Sequence, residues 1–112
     1  MNLHLSTESV GDRRVLGVQG EVDVYSAPSL RDRLKSLIDS SQPDLIVDLS
    51  GIAFIDSTGL GVLVGGQNRA QESGGVLRVV CPQERILKLF RITGLDEVFS
   101  IYPTVPEAIS AA

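Results

Sequence analysis

The chain has 112 residues, 43% of them hydrophobic, and a formal net charge of −4; this describes one compact domain over residues 1–112, not a disordered chain. The acidic balance argues against nucleic acid as partner, because phosphate binding relies on clustered Lys and Arg. A single cysteine, Cys81, excludes an internal disulfide framework; with no secretory signal in MNLHLSTES and no apolar run near the roughly 20 residues of a membrane span, a soluble cytoplasmic protein is expected.

Leu3 and Leu5 alternate with polar residues, which predicts a short strand. Gly11, Asp12 and Arg13 form a turn, and RVLGVQG follows as a second strand ending at Gly20, so the two read as a hairpin. YSAPSLRDRLKSLIDSS, residues 25–41, predicts a helix with Leu30, Leu34, Leu37 and Ile38 on one face. Ser26 is its expected N-cap, and Pro28 fits the first turn. DLIVDLS, residues 44–50, is a mostly apolar strand suited to the interior of a parallel sheet. AFIDSTGLGVLVGG then turns from strand into helix, and the helical pattern runs on through QNRAQES to a stop at Gly74 and Gly75. Gly65 and Gly66 each cost this helix about 1 kcal/mol relative to Ala, a cost that close packing against the sheet would explain. VLRVVC is another strand. After Pro82 a helix is predicted over QERILKLFRI, with Ile86, Leu87, Leu89, Phe90 and Ile92 on its apolar face, until Gly94 breaks it. LDEVF reads as a turn of helix, SIYP as an edge strand, and TVPEAISAA as a terminal helix capped by Thr104. The order β-β-α-β-α-β-α-β-α implies an α/β fold whose parallel strands are joined by right-handed crossovers.

The chemistry concentrates at Asp56-Ser57-Thr58-Gly59. An aspartic protease needs two such aspartates sharing a proton on an all-β architecture, and this chain has one DSTG among alternating helices. A dinucleotide turn would put its third glycine at Val64, with Gly65 one residue late, and no phosphate-loop lysine follows. A hydrolase would need a base for Ser57. The only histidine is His4, on an edge strand and expected to face solvent. Cys81 ends an apolar strand and reads as a buried, inert thiol. No Cys/His cluster has metal-ligand spacing, so neither metal nor cofactor is expected. Two readings of the motif remain. Its side-chain oxygens cap the helix, or a hydroxyl there accepts a phosphate beside the positive helix end and next to Asp56. Chemistry alone leaves Ser57 and Thr58 both open.

Two stretches resemble a known family. GEVDVYSAPSLRDRL carries Gly20, Glu21 and Asp23 before a helix, and IVDLSGIAFIDSTGLGVLV carries Asp48, Asp56, Ser57, Gly59 and Gly61. Together with the closing segment from Gly74 they resemble the anti-sigma factor antagonists, the bacterial single-domain members of the STAS family, over nearly the whole chain. The resemblance implies a mixed, mostly parallel sheet of four to five strands with about four helices largely on one side. It implies a partner-switching role: the unmodified protein binds an anti-sigma factor with GHKL-type serine kinase activity and frees a sigma factor, phosphorylation of Ser57 ends the binding, and a metal-dependent serine phosphatase restores it. Asp23, Asp56, Ser57, Thr58, Gly59, Leu60 and Gly61 are the expected partner-binding residues. Asp23 binds or orients the partner, or is simply a loop acid or helix cap. Asp56 positions the hydroxyl or caps the helix, and Asp48 makes a structural hydrogen bond near the end of its strand. No enzyme activity, nucleic acid or membrane partner is expected, and a monomer when free is. The alternative is a stand-alone STAS protein of a lipid-transport or sensory complex. Arg85, Lys88 and Arg91 form a basic row, read either as a solvated helix face or as a partner surface.

Overall fold

The alternation at the start of the chain folds as a hairpin. In a computed structural model, which describes residues 3–40 and 42–111, strand β1 (Leu3–Val10) pairs antiparallel with β2 (Arg13–Val22), Val10 facing Arg13. Gly11 opens the connection at φ +62°, a left-handed value that glycine reaches without a steric penalty. The chain then alternates through α1 (Ala27–Ile38), β3 (Leu45–Ile55), α2 (Ser57–Glu72), β4 (Leu77–Val80), α3 (Glu84–Ile92), a 3-10 turn at Leu95–Glu97, β5 (Ile101–Tyr102) and α4 (Val105–Ser110). The strands lie in the order β1-β2-β3-β4-β5, and each neighbouring pair after the hairpin is parallel. Parallel neighbours need crossovers, and α1, α2 and α3 supply them.

Pleating sends alternate side chains to opposite faces. On one face Leu16, Val18, Val47, Leu49 and Val79 meet Leu30, Leu34, Leu63, Ile86 and Phe90 from the three crossover helices in a single core. On the other, Val15, Ile46 and Val80 are covered by Ala108, Val105 and Ile109 of α4. The helices therefore lie largely on one side, as expected. Thr104 caps α4 as expected, its hydroxyl accepting from the Glu107 N–H at 3.3 Å.

Several details depart from the sequence expectations. The first helix is shorter than residues 25–41, and its expected last residue, Ser41, lies outside the described residues, as does Ala112, the expected last residue of the final helix. Ser26 occupies the N-cap position of α1 but does not cap it. Its hydroxyl turns back to donate to the Glu21 carbonyl at 2.8 Å. The third helix begins at Glu84, after Gln83. Ile92, expected on its apolar face, is its last residue and is 69% exposed. Of the two helix glycines, Gly66 is packed: a Cβ there would lie 3.1 Å from Leu77 and 3.2 Å from Leu34. Gly65 is not, and a Cβ there would meet nothing within 4 Å.

The largest departure is β3, which runs on to Ile55. Two register shifts against β2 absorb its extra residues, and Asp48 steadies the first by accepting the Ser50 N–H at 3.0 Å. Asp48 is thus a structural acceptor, though in mid-strand. Pairing with β4 ends at Asp48, so the carbonyls beyond it need other donors. Gln83 supplies them, its side-chain nitrogen reaching the carbonyls of Leu49, Ser50 and Ile52 at 2.9, 2.9 and 3.0 Å. Arg85 donates to Ala53 at 2.6 Å. The overhanging end of β3 is thereby fixed where the chain turns into α2.

Candidate partner-binding site

Two adjacent strand ends set the site. Val22 of β2 lies beside Ile55 of β3, and the Asp56 N–H donates to the Val22 carbonyl at 3.1 Å. Asp23 and Asp56, the next residue on each strand, therefore leave the sheet side by side. Ligands of open α/β sheets gather outside these carboxyl ends.

Asp56 is the N-cap of α2: its Oδ1 accepts the Gly59 N–H at 3.1 Å, and its carbonyl accepts the Leu60 N–H at 3.0 Å. That leaves Ser57 and Thr58 in the exposed first turn with hydroxyls that take no part in the cap. The first N–H groups of a helix lack intrahelical partners and carry its positive end. Gly59 lies underneath, where a Cβ would sit 2.6 Å from Val22 and 2.8 Å from Ile55. Only glycine lets α2 begin this close to the sheet. Leu60 is buried in the core and seats the helix without presenting surface, whereas Gly61 is exposed.

Asp23 builds the neighbouring turn. Its Oδ1 accepts the N–H groups of Tyr25 at 3.0 Å and Ser26 at 2.9 Å, and its own N–H donates to the Ser26 hydroxyl at 2.9 Å. The Ser26 N–H, with the other donors of this turn, holds the Asp23 carboxyl below its ordinary value of 3.8. The turn thrusts two apolar side chains outward: Tyr25 is 78% exposed and Val24 58%, and Phe54, just before the Asp56 turn, is 44% exposed. None of these three belongs to a helix face or motif that marks it in the sequence.

The structure therefore brings Asp23 and Asp56 out together at one end of the sheet, with exposed Val24 and Tyr25 following Asp23, Ser57 and Thr58 following Asp56, and exposed Phe54 two residues before Asp56. It leaves the other candidates elsewhere. His4 is exposed on β1. Cys81 is buried, and that burial pushes its thiol above the ordinary value. Arg85 is engaged with β3, and Arg91 pairs with Glu84. Among the described residues no group of three or more His, Cys, Asp and Glu is placed to hold a metal, and no helix is long and apolar enough to cross a membrane.

Comparison with known proteins identifies the family. The family model for the STAS domain matches residues 4–108. The chain is 38% identical over 101 residues to the anti-sigma-B factor antagonist of Bacillus subtilis, covering 90% of this chain and 92% of that protein. It is 35% identical to the anti-sigma-B factor antagonist of Staphylococcus epidermidis, with 90% and 94% covered. The crystal structure of an anti-sigma factor antagonist from Mycobacterium paratuberculosis matches with a TM-score of 0.90 at 30% identity, covering 98% of this chain and 93% of that one. The fold, the motif and these likenesses together show that the chain belongs to the STAS domain family and stands among its anti-sigma factor antagonists.

Proposed function

We propose that this protein is a phospho-regulated binding protein of the cytoplasm and not an enzyme. Unmodified, it binds an anti-sigma factor that is also a GHKL-type serine kinase, and a sigma factor is released. The kinase transfers a phosphoryl group to Ser57, binding ends, and a metal-dependent serine phosphatase restores the hydroxyl. The observation that carries this proposal is the Ser57 hydroxyl itself: exposed, unused by the cap, and next to Asp56 at the end of the sheet where Asp23, Val24 and Tyr25 also emerge. Among the described residues no side chain is hydrogen-bonded to it as a base, and its exposure leaves it open to another protein's active site.

The residues divide by role. Tyr25, Val24 and Phe54 supply apolar contact, the kind of aromatic anchor that dominates interface energies. Asp23 holds their turn and offers a fixed charge to the partner. Asp56 and Gly59 fix the start of α2, Leu60 seats it, and Ser57, Thr58 and Gly61 present the contact surface. Phosphate at Ser57 adds about −1.5 to −2 charges beside Asp23 and Asp56. An interface tolerates a buried hydroxyl, but a buried, unpaired dianion is strongly disfavoured. No refolding is required for release.

Incubation with the purified kinase and ATP, followed by phosphosite mapping, tests the assignment. Phosphate is expected on Ser57 and none on the Ser57→Ala variant. Phosphate on Thr58 alone overturns the choice of residue, and none at all overturns the switch.

A further inference from the structure

One surface continuous with the Ser57 turn is left unfilled by the fold. Between α1 and α2 lies a groove of about 420 Å³, lined along α2 by Thr58, Gly61, Val62, Gly65 and Arg69 and along α1 by Arg31, Leu34 and Lys35. The α2 positions follow helical spacing, so they share one face, and from Thr58 to Arg69 that face runs about 16 Å at the rise of an α-helix. Leu34 and Val62 make an apolar floor. Gly61 and Gly65 keep it open, because a Cβ on either would meet no heavy atom within 4 Å outside the helix. Unlike Gly59 and Gly66, these two are not demanded by packing within the molecule, and each weakens the helix that carries it.

The rim is cationic on a chain whose net charge is −4. Arg69 is held by both carboxylate oxygens of Asp39, at 2.6 and 2.7 Å, which ties α2 to α1 at the far end of the groove. Arg31 lies a loose 3.9 Å from Asp32 with its side chain 65% exposed, and Lys35 is exposed beside it. The groove thus offers apolar depth under a positive edge, and it opens at Thr58 onto the proposed partner face. We infer that it receives an acidic, amphipathic helical segment of the protein partner, apolar side chains entering over Gly61 and Gly65 and carboxylates meeting Arg31 and Lys35. This rests on the proposed function and extends that contact from the Ser57 turn along both helices. Helix-in-groove docking fits the shape, and the charge pattern steers an acidic segment here and away from the acidic remainder of the surface.

The test compares three variants with wild type for binding to the purified anti-sigma factor, with melting temperatures measured alongside. Gly65→Leu fills the groove at a position with open space; the dissociation constant rises about tenfold or more while the melting temperature does not fall. Lys35→Glu reverses the rim charge at an exposed site; binding weakens about fivefold to tenfold and loses part of its salt dependence. Ser57→Asp is the control for the proposed function. If it abolishes binding while Gly65→Leu and Lys35→Glu bind within twofold of wild type, the groove inference is overturned and the proposed function stands. If wild type itself does not bind, both fall. A titration with decanoate separates a small-molecule pocket from a docking groove: saturable shifts in α1 and α2 amides, with partner binding unaffected by decanoate, overturn the inference.

Discussion

At Ser57 a hydroxyl can change into a dianion without disturbing anything that holds the fold, because Asp56 and not Ser57 caps the helix. The residues around it are less free. Gly59→Ala places a methyl group against Val22 and Ile55 and will cost about 1–3 kcal/mol as overpacking does, read in a urea melt; it will weaken partner binding as well, because α2 must lift to admit the methyl. Tyr25→Ala removes an exposed ring that touches no core, so stability will hold while binding weakens by about 2 kcal/mol or more, the scale of an interface anchor; unchanged affinity in calorimetry would remove Tyr25 from the partner face. Asp23 supplies a pH signature. Its carboxyl titrates below the ordinary value in the folded protein, so its stabilising effect is complete above that ordinary value and disappears as pH falls through the lower folded one. Asp23→Ala will therefore melt lower than wild type at pH 7 and lose less on acidification below about pH 4, as melting temperatures across pH 2–7 will show. The role of Asp56 was legible because a helix start needs an acceptor. The role of Ser26 was not, since a serine before a helix predicts a cap and only the turn geometry reveals a hydroxyl pointing backwards.

Among the elements, β3 decides where the site stands. The strand overhangs β4 beyond Asp48, and one side chain, Gln83, takes up three of the carbonyls left over. Gln83→Ala leaves those acceptors without their donor and will destabilise by about 1–3 kcal/mol. Amide spectra of that variant will shift along Ile52–Gly59, away from the substituted residue; shifts confined to the start of α3 would show that the clamp does not position the site. Gln67 does similar work inside α2, fully buried, giving and receiving hydrogen bonds with the backbone of Leu77. Apolar periodicity read the strands, helices and their order well, because those follow from which faces are buried. It stopped short on β3. GIAFI carries apolar residues at successive positions, and bulges that shift register leave no mark in a hydrophobic pattern. Neither glutamine could be ranked from sequence, since a polar residue declares itself structural only when its buried partners are known.

For the whole molecule, the sheet works as a rigid mount. Its parallel strands bring two loops to one end, three helices close one face, and α4 covers part of the other. The family, the fold and the Ser57 motif were all visible in the chain itself. The exposed apolar ring and the groove between α1 and α2 were not, because both depend on which residues of separate elements become neighbours. The proposed regulation needs only a change of local charge on such a mount: a penalty of about 2.7 kcal/mol already weakens binding a hundredfold. The most direct test is the affinity of the anti-sigma factor for this protein unmodified and stoichiometrically phosphorylated on Ser57, measured by calorimetry with amide spectra of both forms. Phosphorylation will weaken binding by at least about a hundredfold while the spectra change only around the Ser57 turn. Equal affinity of the two forms, or loss of binding accompanied by spectral change across the sheet, would contradict a switch that acts by local charge.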